Sequence, residues 1–422
     1  MDQIAIQPRG PLHASIRPPG SKSITNRALI CAALAEGTSV LRGALDSEDT
    51  RVMVAALRQL GLKVATDLAA HTIRIDGCGG HIPVDGGELF VANSGTTVRF
   101  LTALVTLGNG RFRLDGVERM RQRPIEDLLA ALRQLGADAH SENNTGCPPV
   151  VVQAHGLSGG QATIRGNISS QFLSGLLMAA PYAASDVHLL VDGELVSQPY
   201  VTMTLGVMSA FGVPCDAGDL SHFSIPAPQR YRGCEYPIEP DASAASYFWG
   251  AAAIAGGEVT VEGLTRNSLQ GDVAFCDCLE KMGCQITHGP AGITVAGRPL
   301  RGIEVNMNAI SDTVQTLAAV ALFADGPTTI TGVAHIRHKE TDRIGDLARE
   351  LRKLGATVDE LPDGLRITPG PLHGASIATY NDHRMAMSLA LVGLRVPGIV
   401  IQNPGCTEKT YPEFFRVLQS LV

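Results

Sequence analysis

Ala55-Ala56-Leu57-Arg58-Gln59-Leu60-Gly61 returns almost letter for letter as Ala130-Ala131-Leu132-Arg133-Gln134-Leu135-Gly136. Each is the end of an apolar-periodic helix stopped by a glycine, the residue that most readily takes the left-handed conformation after a last turn. Weaker copies end at Gly212, Gly283 and Gly355, with spacings of 75, 76, 71 and 72 residues along the series. A sixth copy, Phe414 to Leu421, closes the chain without its glycine. A strand-like run is expected after each glycine, as in Cys284-Gln285-Ile286-Thr287 or Ala356-Thr357-Val358. A period of this length marks a repeat architecture, and the repeat decides the fold.

A second signature interleaves with the first. It is a polar cap, an Ala-rich helix, a turn, a β-branched strand and a glycine. These helices are expected to begin near Ser21, Ser94, Ser169, Asp241, Ser311 and Asp382. The strands after them include Arg113-Leu114-Asp115-Gly116, Val259-Thr260-Val261-Glu262-Gly263 and Thr329-Ile330-Thr331-Gly332. Six copies of two helices plus several short strands predict an α/β fold in which neither element buries its face alone. The first helix of each copy is apolar nearly all round and is expected in the core. Proline density cuts the chain at Arg17-Pro18-Pro19-Gly20 and within Tyr231 to Pro240. Two similar domains follow, residues 1–20 plus 234–422 and residues 21–233. Each has three copies, and the cleft between them is the default site.

Composition narrows the function. A chain of 422 residues exceeds one ordinary core. A formal net charge of −7 argues against a nucleic-acid binder working by bulk electrostatics. No apolar run is long enough to span a bilayer, and the first residues show no targeting segment, so a cytoplasmic protein is expected. The nine cysteines are odd in number and scattered without a CxxC, which points to free thiols rather than a metal site or disulfides.

The chemistry lies at the helix starts. Pro19-Gly20-Ser21-Lys22-Ser23-Ile24-Thr25-Asn26-Arg27 feeds a helix, so free backbone N–H groups, Lys22 and Arg27 share one positive end. Cations are mildly unfavourable there, about 0.3–1 kcal/mol each, unless an anion is bound. The spacing is not that of a Walker loop. Asn93-Ser94-Gly95-Thr96-Thr97-Val98-Arg99 opens the second copy, and its glycine allows close approach to the backbone. Ser169-Ser170-Gln171 opens the third, and Ser197-Gln198-Pro199-Tyr200 its second helix. Arg119, Arg121 and Arg123 precede a helix-starting proline, as an anion fork or as a solvated basic loop. The run from His335 through Lys339, Glu340 and Arg343 is read as either a salt-bridged face or a cation cluster. Asn381-Asp382-His383-Arg384 and Lys409 repeat the pattern. Convergence of these starts predicts small, multiply anionic ligands, with Asp312 and Glu340 as carboxylates for acid–base work among the cations.

These motifs, in this order and over nearly the whole chain, resemble the 5-enolpyruvylshikimate-3-phosphate synthase family of enolpyruvyl transferases. The resemblance implies two similar domains, each of three βαβαββ repeats about a pseudo-threefold axis, an inside-out α/β barrel. It implies phosphoenolpyruvate and shikimate 3-phosphate as substrates and no metal or organic cofactor. It further implies no nucleic-acid or membrane partner and a monomer. Carried over by motif, Lys22, Ser23, Arg27, Ser169, Ser170, Gln171, Ser197, Tyr200, Asp312 and Lys339 would contact shikimate 3-phosphate. Lys22, Asn93, Gly95, Arg123, Gln171, Arg343, Arg384 and Lys409 would contact phosphoenolpyruvate. Lys22, Asp312 and Glu340 would carry the proton transfers. Two positions depart from the family's usual pattern: His335 stands where some members have Asn, and Phe100 where many have Pro. Retained Gly95 implies sensitivity to glyphosate. The nearest rival is the sister family that uses UDP-N-acetylglucosamine, whose reactive cysteine would fall at Glu118. A non-catalytic anion-binding scaffold and an RNA-end-processing relative are further alternatives, against which the acidic balance and the two carboxylates stand.

Overall fold

The computed structural model describes residues 2–421. Contacts divide it into a central unit, Gly20–Ile238, and a terminal unit made of the chain up to Pro19 and from Glu239 onward. The central unit holds α1 (Lys22–Leu34), α2 (Glu48–Gln59), α3 (Gly95–Val105), α4 (Glu126–Gln134), α5 (Ser170–Ala179) and α6 (Gln198–Ala210). The terminal unit holds α7 (Ala242–Ala255), α8 (Phe275–Met282), α9 (Val314–Ala321), α10 (Gly345–Lys353), α11 (His383–Ala390) and α12 (Phe414–Ser420).

Four repeats build a four-stranded sheet by the same rule, and the third and sixth build sheets of three strands. In the second, Gly86–Phe90 runs parallel to Asn109–Asp115, which pairs antiparallel with Val150–His155, which pairs with Asp138–Ser141. In the fifth, Glu304–Asn306, Thr328–Thr331, Gly364–Thr368 and Thr357–Leu361 repeat the order. The parallel pair needs a crossover helix, and that helix is the Ala-rich one.

Two repeats take their first strand from far away in the chain. Glu235–Pro237 runs parallel to Thr38–Arg42 and completes the first repeat. Leu12–Ile16 runs parallel to Gly257–Glu262 and completes the fourth. Glu235–Pro237 therefore belongs with the central unit, although proline density puts the boundary before it.

The first helices of the repeats form the interior. Within the central unit α1 packs on α3 and α3 on α5; within the terminal unit α7 packs on α9 and α9 on α11. Their sequences explain the placement. α1 is buried from Ile24 to Leu34, and α7 from Ala242 to Ile254, so no polar stripe is left for water. The second helices keep one wet face; α2 buries Met53, Val54, Ala56 and Leu57 and exposes Arg58. Ser21, Ser94, Ser169, Asp241 and Asp382 cap their helices with side-chain oxygens. Ser311 does not. It lies in a 3-10 turn, Asn308–Thr313, and α9 starts after it. Gly61, Gly136, Gly212, Gly283 and Gly355 all end helices at positive φ, between 85° and 116°. Strands follow them at Lys63–Asp67, Asp138–Ser141, Gln285–His288 and Thr357–Leu361, but after Gly212 the next strand is His222–Ile225. No helix among the described residues is long and apolar enough to cross a membrane.

Candidate functional site

The central unit gathers its predicted residues where the N-termini of α1, α3, α5 and α6 meet. Arg27 is the anchor. It is fully enclosed, yet each of its hydrogen-bond partners is neutral. Nε donates to Thr204 Oγ1 at 2.7 Å, and NH1 to the Ser23 carbonyl at 3.0 Å. NH2 donates to Ser174 Oγ at 3.2 Å and the Tyr200 carbonyl at 3.1 Å. Its Cζ lies 5.3 Å from the Phe100 ring centroid and 6.0 Å from that of Tyr200. Burial pulls the Arg27 pKa down to about 10. A buried cation without a carboxylate is costly, so the arrangement is suited to an anion that arrives from outside. Phe100, the departure noted above, is thus the aromatic surface against which Arg27 rests.

Lys22, the first residue of α1, lies 3.4 Å from Asp49, and Ser23 follows it. Ser197 opens α6 in left-handed backbone at φ 53°. Ser169 caps α5 by accepting from the Gln171 N–H at 3.3 Å, and Ser170 is buried beside it.

Arg123 folds back over the start of α3. Its NH1 donates to the Asn93 carbonyl at 2.9 Å and to Asn93 Oδ1 at 3.2 Å. A Cβ on Gly95 would sit 2.4 Å from Arg123 NH2, so the glycine is needed for the guanidinium to lie against the backbone. Of the three arginines in that loop only Arg123 is buried. Arg121 is held in a fork by Asp115 at 2.9 and 2.7 Å, and Arg119 by Gln122 at 3.1 Å. Arg99 links the second and third repeats. Its NH1 donates to Gln171 Oε1 at 2.6 Å, its NH2 to the Pro124 carbonyl at 3.1 Å, and it stacks 5.1 Å over Phe172. The motif around Gly95 contains Arg99, but nothing local in the sequence marks it as the bridge to Gln171.

The terminal unit has a second cluster, built on Arg343. Its Nε and NH2 grip Asp382 at 2.7 and 3.1 Å, NH2 also reaches Glu340 Oε2 at 2.8 Å, and NH1 reaches Asp312 Oδ1 at 3.3 Å. Burial alone would lower the Arg343 pKa; the charges of Asp382, Glu340 and Asp312 hold it above the ordinary value. Arg384 NH2 takes the other Asp312 oxygen at 2.7 Å, and its NH1 lies 3.3 Å from the Tyr247 hydroxyl. Asp382 also accepts from the Arg384 backbone N–H at 2.8 Å. One carboxylate thus fixes both arginines, a role the sequence hides behind an ordinary helix cap. Lys409 is buried at the end of the turn Pro404–Lys409, which packs on α11. Burial, with the charge of Lys339 added, drives the His335 pKa down to about 3, against an opposing pull from Asp312. His335 is therefore neutral at physiological pH, with Lys339 and Asp312 close by. Arg337 is spent on Asp342 and Glu360, both ordinary ion pairs.

The sequence profile of EPSP synthase (3-phosphoshikimate 1-carboxyvinyltransferase) matches residues 6–418. A 3-phosphoshikimate 1-carboxyvinyltransferase of Nostoc punctiforme is 51% identical, with 100% of both chains covered. The chloroplastic protein of that name from Arabidopsis thaliana is 48% identical, covering 99% of this chain and 84% of its own. A solved EPSP synthase of Acinetobacter baumannii superposes with a TM-score of 0.83 at 27% identity, covering 99% of this chain and 98% of that one. With the family's profile matched almost end to end and a full-length relative at 51% identity, this chain belongs to the EPSP synthase family.

Proposed function

We propose that the chain transfers the enolpyruvyl group of phosphoenolpyruvate to the 5-hydroxyl of shikimate 3-phosphate, the step to which its relatives owe their name. The observation that carries the mechanism is Asp312, a carboxylate shared by Arg343 and Arg384 while Glu340 takes a further donor of Arg343. Arg27, Ser23, Ser169, Ser170, Ser197 and Tyr200 hold shikimate 3-phosphate, with Gln171, Lys339 and Asp312 against it. Lys22, Asn93, Gly95, Gln171, Arg123, Arg343, Arg384 and Lys409 hold phosphoenolpyruvate.

The 5-hydroxyl oxygen attacks C2 of phosphoenolpyruvate. Asp312 accepts the hydroxyl proton, and Glu340 with Lys22 delivers a proton to C3, giving a tetrahedral ketal phosphate. Loss of a C3 proton to the same groups then expels inorganic phosphate and leaves the enol ether. The anionic ends of phosphoenolpyruvate compete with Asp312 and Glu340 for the guanidiniums. Each arginine bond that a carboxylate gives up makes it a better proton acceptor. Substrate binding thus prepares the base, and positioning with charge complementarity supplies most of the rate. The protein acts as a monomer in the cytoplasm on this reading. Its nine free thiols suit a reducing compartment.

The test is phosphate release from phosphoenolpyruvate with shikimate 3-phosphate, beside Asp312→Asn and a UDP-N-acetylglucosamine control. Release that needs shikimate 3-phosphate and falls at least 100-fold in the variant supports the reading. Release only with the sugar nucleotide assigns the sister activity, and no release with either leaves an anion-binding scaffold.

A further inference from the structure

The turn that delivers Arg384 is strained. Tyr380 and Asn381 are consecutive non-glycine residues in left-handed backbone, at φ 53° and 55°. Such backbone is unfavourable for a residue with a Cβ and persists where the surroundings hold it in place. Glu350, on α10, does the holding. It is wholly buried, and its Oε1 accepts from the Tyr380 hydroxyl at 2.6 Å while its Oε2 accepts from the Ala378 N–H at 3.1 Å. Lys353 Nζ donates to both oxygens at 2.8 Å and balances the charge. Arg349 closes the other side, with NH1 3.1 Å from the Tyr380 hydroxyl and Cζ 5.7 Å from its ring centroid. Beside it, Asn381 Oδ1 accepts from Asn403 Nδ2 at 3.2 Å. Asn403 is itself left-handed, at φ 45°, and opens the turn that ends in Lys409.

The connectivity gives this brace its meaning. α10 follows directly from the segment that carries Glu340 and Arg343, and the strained turn leads directly into Asp382 and Arg384. The Arg343–Asp382 fork is the inner tie between those two segments; Glu350 with Tyr380 is an outer tie between the same two. We propose that Glu350 and Tyr380 are positioning residues for phosphoenolpyruvate, holding the strained turn so that Arg343 and Arg384 keep the spacing its anionic groups require. This rests on the reading that those two arginines bind phosphoenolpyruvate.

The experiment compares Tyr380→Phe, Glu350→Gln and the double variant Tyr380→Phe/Glu350→Gln, with Arg384→Lys alongside. Steady-state kinetics for phosphoenolpyruvate are read beside direct titration of shikimate 3-phosphate. Removing one hydrogen bond to a buried carboxylate is expected to raise the KM for phosphoenolpyruvate about tenfold. The shikimate 3-phosphate Kd should stay within twofold. The two residues act through one shared hydrogen bond, so the double variant should lose no more than about twofold beyond the larger single loss. A purely structural brace would lower the melting temperature and leave that KM within twofold in both single variants, which overturns the proposal. A raised KM whose losses multiply in the double variant, or an equal loss of shikimate 3-phosphate binding, overturns it too. If Arg384→Lys leaves the KM unchanged, the assignment of the arginines fails instead, and the two failures are distinguishable.

Discussion

Replacing Arg27 with methionine should make the protein more stable and useless. The reasoning starts from the burial of this guanidinium among neutral partners. Burial pulls its pKa well below the ordinary arginine value, to about 10. At one pKa unit per 1.36 kcal/mol, keeping the group charged costs the fold about 3 kcal/mol. The folded pKa is depressed and the group is a base, so this cost is present in full at any pH below about 10 and lifts only as the pH rises from there toward the ordinary arginine value. At pH 7 it is constant. Methionine fills a similar linear volume without a charge. What is lost is the aromatic contact with Phe100 and Tyr200, about 1–2 kcal/mol in a dry site. The carbonyls of Ser23 and Tyr200 lie within α1 and α6, so the turns of those helices still supply N–H donors. The balance is a gain of about 1 kcal/mol, or about 2–4 °C in the melting temperature of a unit this size. The assay is thermal unfolding with and without shikimate 3-phosphate. At one hundred times its Kd the ligand should stabilise the parent protein by about 2.7 kcal/mol and the variant not at all. A variant that melts several degrees lower without ligand would refute the cost assigned to the buried charge. A variant that keeps the ligand shift would refute the role of Arg27 in binding.

Gly95→Ala should act on phosphoenolpyruvate alone. The added methyl would sit 2.4 Å from Arg123 NH2 and 3.0 Å from Arg99 NH1. Arg123 must then move by about 1 Å, weakening a charge-assisted bond of about 1.5–3 kcal/mol. The KM for phosphoenolpyruvate is expected to rise at least tenfold in steady-state assays. Glyphosate should inhibit the parent in competition with phosphoenolpyruvate and the variant far less; equal inhibition of both contradicts the clash. His335→Asn should flatten the acid limb of the stability curve. A histidine whose folded pKa is held near 3 stays neutral while the unfolded chain takes up its proton near 6.5. Stability is therefore present above pH 6.5 and lost as pH falls toward 3, by up to about 1.4 kcal/mol per pH unit. Denaturant titrations between pH 7 and pH 4 measure that slope, and an identical slope in the variant would show that His335 is charged in the fold.

Part of the candidate site is legible in the sequence because it is built from local chemistry. A Ser or Asp cap, a lysine or arginine in the first turn and a glycine at the close are read within a few residues of one another, and they recur. Lys22 and Arg384 stand in first turns behind such caps. Arg27 lies a turn deeper, and Asp312 and Arg343 lie outside the α-helices, so only the motif around each marks it as a candidate. The loop with Arg119, Arg121 and Arg123 was only partly legible. Which arginine turns inward depends on Asp115, whose strand neighbour and carboxylate reach are tertiary matters.

The sequence by itself determined the six repeats, the core placement of the Ala-rich helices and the helix starts that carry charge. All follow from periodicity and capping within a window of one helix. Only the tertiary structure decided which strands complete which repeat. Glu235–Pro237 pairs with Thr38–Arg42 across nearly the whole central unit, and Leu12–Ile16 pairs with Gly257–Glu262. It alone decided that Thr204 and Ser174 surround Arg27, that Asp382 grips Arg343, and that Glu350 reaches Tyr380. The physical reason is the same in each case. A strand or a buried side chain selects its partner by register and packing once distant segments are brought together, and no local preference encodes that choice.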